Sequence, residues 1–221
     1  MKKVALIVAG GSGKRMSSNI PKQFELLQGK PVLMNTFQLF FDYDPEINFV
    51  LVLPENQFDF WKMLINKFNF GIKHELAPGG KTRFHSVKSG LELVPEDAIV
   101  FIHDGVRPLV SETTIRNCYH TAVKKGNALP VIPVTESVRE VKDKNNFSVD
   151  RSKYYLVQTP QTFQASLIKK AYNQIAIENF TDDASVLENT GEKINLVNGN
   201  RENIKITYPH DLIIANALLK T

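Results

Sequence analysis

A chain of 221 residues, 43% hydrophobic and 23% charged, is long and apolar enough to bury a sizeable core, which excludes a disordered or fibrous polymer. Its net charge of +4 comes from single basic residues beside glycine, proline or polar neighbours. That pattern lacks the basic run of a nucleic-acid arm and favours a small anionic ligand.

The first residues, "MKKVALIVAGGSG", place two lysines before a short apolar run that ends in glycine and charge. The run is too short for a leader and is expected to be a first strand. "KVALIVAG" (3–10), "NFVLVLP" (48–54) and "AIVFIHD" (98–104) are continuous apolar runs, the pattern of parallel strands buried on both faces. "ALPVIPV" (128–134) reads as another strand with prolines near its ends. Helices are expected between them. "PVLMNTFQLFF" (31–41) begins with Pro31, a favoured first helical residue. In 56–68, Phe58, Trp61, Leu64, Ile65 and Phe68 recur on one helical face. In 111–125, Ser111 is a candidate cap, with an acidic first turn and lysines at the end. The segment 134–155 turns polar and alternating, with "KDKNN" as a hairpin tip, and is expected to be a β-arm leaving the sheet. Helical patterns return at 164–177 and 182–190, followed by a strand at 193–198 and a last helix from 208.

Strands alternating with helices predict one α/β domain over 1–221, a Rossmann-type, mostly parallel sheet flanked by helices, with the arm as an excursion. No stretch approaches the ~18 apolar residues of a membrane span. One cysteine, Cys118, forms no internal disulfide and suits a reducing cytoplasm; it lies inside a predicted helix and reads as core. Ligands of such sheets bind beyond the carboxyl ends of the strands, which directs attention to 9–22, 77–86, 103–108, 133–139 and the segment near 205.

The loop after the first strand fails two common phosphate-binding patterns. The Walker pattern would need glycine at Val8 and Ser or Thr at Arg15. The dinucleotide pattern begins with Gly11 and Gly13 but meets Met16 where its third glycine packs the helix on the strand. What remains is "AGGSGKRM" followed by "PKQF". Gly10, Gly11 and Gly13 can turn backbone N–H groups toward a polyphosphate. Arg15 can grip phosphate oxygens in bidentate fashion, and Lys14 and Lys22 add charge.

"AGGSGKRM…PKQF", "FIHDGVRP" (101–108), "QTPQTF" (158–163), "TDDAS" (181–185) and "ENIKIT" (202–207) occur in one order over essentially the whole chain. They resemble the nucleotidyltransferases with a GT-A-like Rossmann fold. Within these they resemble the 2-C-methyl-D-erythritol 4-phosphate cytidylyltransferase branch of the non-mevalonate isoprenoid pathway. A sister branch, ribitol 5-phosphate cytidylyltransferase, shares most of the motifs, and the valine at 106 occurs there too. The resemblance implies transfer of CMP from CTP to a sugar-alcohol phosphate with release of pyrophosphate, a divalent cation (Mg²⁺), and a homodimer joined through the arm. It implies catalytic roles for Arg15, Lys22, Arg151 and Lys205, and nucleotide contacts from Ala9, Gly10, Gly11, Ser12, Gly13, Gly80, Arg83 and Ser86. It implies Asp104 as the Mg²⁺ carboxylate beside the nucleotide, and Arg107, Ser137 and Thr159 near the polyol. In the family, Arg151 completes the partner's site. Ser137 stands where the family usually has threonine, and Asp183 where it has glutamate. Asp104 also suits a turn, Ser86 a helix cap, and His103 a packed, hydrogen-bonded role. A non-catalytic nucleotide-binding module is the alternative of a different class.

Overall fold

The computed structural model describes residues 1–10, 20–174 and 180–219. From the amino end the chain forms β1 (Lys2–Val8), the short strands β2 (Leu26–Leu27) and β3 (Lys30–Pro31), and helix α1 (Val32–Tyr43). There follow β4 (Asn48–Leu53), α2 (Phe58–Lys67), β5 (Glu75–Pro78), α3 (Arg83–Glu92), β6 (Ala98–Asp104), α4 (Glu112–Lys125) and β7 (Asn127–Pro133). The arm carries β8 (Arg139–Lys142) and β9 (Asn145–Ser148). The chain returns as β10 (Tyr155–Val157), β11 (Gln161–Gln164), α5 (Ala165–Tyr172), α6 (Asp183–Glu188), β12 (Leu196–Asn198) and α7 (Pro209–Leu218).

The main sheet has the order β10-β7-β11-β6-β1-β4-β5, with β12 on the other edge of β7. The centre, β6-β1-β4-β5, is parallel. Its strands are apolar at almost every position because helices cover both faces, and the pleat divides their side chains between two layers. Ala5, Ile7, Phe49, Leu51, Ile99 and Phe101 join one core with α1, α2 and α4. Their neighbours Val4, Leu6, Val50, Val52, Val100 and Ile102 join a second core with α3, α5 and α6. Each layer thus buries alternate residues of the same strands.

Local chemistry sets the helix ends. Ser111 accepts the Thr114 N–H at 3.1 Å, Glu112 lies in the first turn of α4, and Lys124 and Lys125 lie in its last. Gly126 ends the helix at φ +89°, a conformation that costs glycine little. Asp182 caps α6 and shares a capping box with Ser185. Residues 139–148 pair as an exposed hairpin whose tip residue Asp143 has positive φ.

The structure departs from the sequence reading in several places. Pro31 precedes α1 as its cap, in strand-like geometry at ψ 137°. The 128–134 run (β7) has antiparallel partners in β10 and β11 as well as the parallel β12. The strand expected at 193–198 shortens to β12. Before it, the Lys193 carbonyl and the Asn195 N–H bond the buried Asn127 side chain. The helix expected over 164–177 is α5, which ends at Tyr172; residues 175–177 lie outside the described residues.

Candidate active site

The chain runs outward from β1 to β4 and β5, then returns to the other side of β1 as β6. The carboxyl ends of β1 and β6 are level, Val8 pairing with Asp104, and such a reversal opens a crevice. A cavity of about 240 Å³ occupies it. Ala9, Gly10, Lys22, Gly80, Arg83, Ser86, Asp104 and Lys205, all expected site residues, line this one cavity. A second cavity of about 270 Å³ shares Arg83, Asp104 and Lys205 and adds Arg107 and Thr159. Gln158, Gln161, Thr181 and Asp182 also line it. These four lie inside the motifs "QTPQTF" and "TDDAS" but received no role in the sequence reading; Gln23 of "PKQF", in the first cavity, was likewise missed.

Asp104 is the electrostatic centre. It is 7% exposed, and its Oδ2 accepts from Lys205 Nζ at 3.0 Å and Arg107 Nε at 3.1 Å. Burial works to raise its pKa, but the charges of Lys205, Arg83 and Arg107 outweigh that and hold the carboxyl well below the usual range. It is therefore an ionised group among cations. Arg107 also donates to the Asn203 carbonyl at 2.8 Å, which ties the loop after β6 to the segment carrying Lys205. Lys22, in a 3-10 turn, donates to the Ile206 carbonyl at 3.0 Å. Its neighbour Gln23, almost fully buried, bonds the Ala9 carbonyl at 3.1 Å and the Gln57 side chain at 2.7 Å.

The loop before α3 forms another wall. Gly80 N–H donates to Ser86 Oγ at 2.9 Å, and Ser86 donates to the Thr82 carbonyl at 3.0 Å. Thr82 caps α3; Ser86 sits within its first turns. A Cβ at position 80 would come within 2.4 Å of the His85 Cβ, so only glycine fits there. Arg83 is clamped from behind. Its two terminal nitrogens donate to the fully buried Asp183 at 2.5 and 2.7 Å, and the Tyr172 hydroxyl donates to the same carboxylate at 2.6 Å. Burial alone would lower the Arg83 pKa, but Asp183 more than reverses that and holds it above its ordinary value.

Behind the carboxylate, His103 is fully buried, and burial pushes it down to about 4. Its Nε2 lies 3.0 Å from the Arg107 carbonyl and its Nδ1 3.0 Å from Thr159 Oγ1. Neither His103 nor Cys118 offers itself to a ligand. The Cys118 thiol is buried 3.7 Å from the Pro160 carbonyl, and burial pushes it up to about 12.

The remaining expected residues fall elsewhere. Ser137 and Arg151 are exposed on the arm and line neither cavity; Arg151 donates to the Thr135 carbonyl. Gly11, Ser12, Gly13 and Arg15, with Lys14, lie outside the described residues. Among the described residues no three His, Cys, Asp or Glu side chains converge on a metal position. The ionised carboxylate of Asp104 suits a hard cation that takes its other ligands from phosphate oxygens and water. Both cationic contacts of Asp104 fall on Oδ2, which leaves Oδ1 for that purpose among the described residues.

The family model of 2-C-methyl-D-erythritol 4-phosphate cytidylyltransferase matches residues 3–221. A protein of that description from Bacteroides fragilis is 53% identical over 219 residues, covering 99% of this chain and 100% of its own length. One from Bacteroides thetaiotaomicron is 51% identical over the same length and shares. The crystal structure of the enzyme so described from Thermus thermophilus superposes with a TM-score of 0.81 at 29% identity, covering 100% of both chains. That from Francisella tularensis gives 0.82 at 30% identity, covering 98% of this chain and 99% of its own. With described residues of all five motifs lining two adjoining cavities and the family match running over residues 3–221, the chain belongs to the 2-C-methyl-D-erythritol 4-phosphate cytidylyltransferase family.

Proposed function

We propose that this protein transfers CMP from CTP to 2-C-methyl-D-erythritol 4-phosphate, giving 4-diphosphocytidyl-2-C-methyl-D-erythritol and pyrophosphate in isoprenoid biosynthesis. The observation that carries the reading is the buried, ionised carboxylate of Asp104, held among Lys205, Arg107 and Arg83 where two cavities meet. The relatives' printed names support the choice of polyol phosphate. An oxygen of the phosphate monoester attacks the α-phosphorus of CTP. The new P–O bond forms as the bond to the bridging oxygen breaks, and pyrophosphate leaves with the electron pair. The nucleophile is already anionic, so no general base is needed. The barrier is the approach of two anions, which positioning and fixed positive charge lower.

Ala9, Gly10, Gly80 and Ser86 hold the nucleotide in the first cavity, with Gly11, Ser12, Gly13 and Arg15 of the same loop around its phosphates. Lys22 neutralises the triphosphate, and Lys205, at the junction, faces both reacting phosphates. Arg107 and Thr159 serve the polyol side. Asp104 would hold a magnesium ion, which when bound supplies positive charge to the phosphate oxygens. Arg151 and Ser137 reach a site from the arm of a second copy, in a homodimer. The unpaired, buried Cys118 suits a reducing cytoplasm.

The test is pyrophosphate release with CTP, Mg²⁺ and each polyol phosphate in turn. Turnover with methylerythritol phosphate supports the reading. Turnover with ribitol 5-phosphate alone transfers it to the sister activity. CTP binding without release under either makes the chain a binding module.

A further inference from the structure

His103 is buried at the end of β6, one residue before the carboxylate, and the reaction as written uses neither of its nitrogens. The directions of its bonds follow from its partners. The Arg107 carbonyl can only accept, so His103 Nε2 carries the hydrogen and donates to it at 3.0 Å. In the neutral ring Nδ1 must then accept, and its partner at 3.0 Å is the Thr159 hydroxyl, which donates. The Thr159 oxygen in turn accepts the Asp104 backbone N–H at 3.1 Å. Three bonds thus run in one sense from Asp104 through Thr159 and His103 to Arg107, an arrangement in which each bond polarises the next.

The two ends of this relay are the residues whose side chains must meet. Arg107 Nε donates to Asp104 Oδ2 at 3.1 Å, closing the ring. Thr159 is anchored a second time, its carbonyl accepting from Asn203 Nδ2 at 2.8 Å, two residues before Lys205. Its hydroxyl, with its hydrogen and one lone pair committed inside the protein, has one lone pair left for a polyol. Phe40 packs edge-on against the imidazole, centroids 5.0 Å apart, so the ring cannot swing away.

We propose that His103 is a positioning residue for the transfer, its neutral imidazole joining the Arg107 carbonyl to the Thr159 hydroxyl and so setting Asp104 and Arg107 against the reacting phosphates. The inference rests on the reaction proposed above, and its first test does not depend on activity. In protein labelled with ¹⁵N-histidine, the His103 imidazole shows the Nε2–H tautomer with a hydrogen-bonded Nδ1. Thr159→Val moves the Nδ1 resonance toward that of a free acceptor. The Nδ1–H tautomer, or an Nδ1 signal indifferent to Thr159→Val, overturns the relay, whatever the enzyme turns over.

The second test is kinetic. Thr159→Val and His103→Phe, which keep the volume and lose the bonds, are expected to lower kcat about 10- to 100-fold, with CTP KM changed less than about threefold. Thr159→Ser, which restores the hydroxyl, recovers most of the loss. Because the two residues act as one unit, the double variant is expected to be no worse than its weaker parent. Losses that multiply, or that fall on KM alone, overturn the assignment. Should His103→Phe fail to fold, the response of the His103 Nδ1 resonance to Thr159→Val decides.

Discussion

Lys22 owes its place to the residues after it. Gln23 grips the Ala9 carbonyl, and Phe24 stacks on Trp61 with centroids 6.0 Å apart, so the turn is nailed down while the lysine reaches the cleft. Replacing it with alanine removes the charge and the bond to the Ile206 carbonyl, while Gln23 and Phe24 keep their own anchors. Lys22→Ala is expected to lower kcat by about 10²- to 10³-fold, the scale for loss of one preorganised charge-stabilising group, with the protein still folded and melting cooperatively. Pyrophosphate release and a thermal melt check this; a kcat within about threefold of wild type takes Lys22 off the catalytic list. The aromatic anchor under this turn contains a titratable member. His74 Nδ1 donates to the Ile72 carbonyl at 2.9 Å, so Nε2 accepts the Trp61 indole N–H, also at 2.9 Å. Burial lowers the His74 pKa below its ordinary 6.5. The unfolded chain therefore binds a proton first, and this contribution to stability is complete above pH 6.5 and is lost as pH falls. Protonation also sets an N–H against the indole N–H. Acidification from pH 7 to 5 is expected to lower the urea midpoint and red-shift emission from Trp61, the sole tryptophan. His74→Phe flattens both slopes if His74 is responsible; an unchanged dependence in that variant assigns the effect to other groups.

Among elements, the legible ones obey a local rule, and the missed ones depend on partners far along the chain. β1, β4 and β6 announce themselves because burial on both faces leaves few positions for a polar residue. α4 carries its own punctuation, and that makes a prediction at this scale. Ser111→Ala removes the oxygen that accepts the Thr114 N–H and is expected to destabilise the protein by about 1 kcal/mol, read as a lowered urea midpoint at unchanged slope. No change would mean that Glu112 or water caps the helix as well. β11 illustrates the opposite case. Gln161–Gln164 shows no strand pattern in the sequence, yet it forms a strand between β6 and β7, and the buried Gln161 satisfies its amide through Asp182 and the Ala184 N–H. Nothing within those four residues shows where their polar groups find partners. The site divides the same way. Lys205 and Arg107 could be placed from motifs, whereas the clamp of Asp183 on Arg83 spans 100 positions and emerges only on folding. A carboxylate in "TDDAS" is visible in sequence; that it pairs with Arg83 is not.

On the scale of the whole molecule, the sheet supplies one end of a cleft and the arm leaves it. The reversal between β1 and β6 gathers Lys22, Asp104 and Lys205, while Ser137 and Arg151 stand exposed on the arm, on either side of its hairpin. Val141 and Phe147 on that hairpin, and Tyr155, Leu156 and Val157 at its base, are exposed apolar side chains, a surface that a second copy can bury. If each site joins one chain's body to the other's arm, Arg151→Ala and Lys205→Ala damage different halves of it. Each variant alone has both sites crippled. A heterodimer of the two has one site with both defects and one with neither. Unfolding and refolding an equal mixture makes about half the dimers mixed, so about one quarter of wild-type activity is expected to return. Sites completed within one chain would recover nothing above the average of the parents. Sedimentation of each variant at the same concentration shows whether dimers are present, so failure to assemble is distinguished from failure to complement.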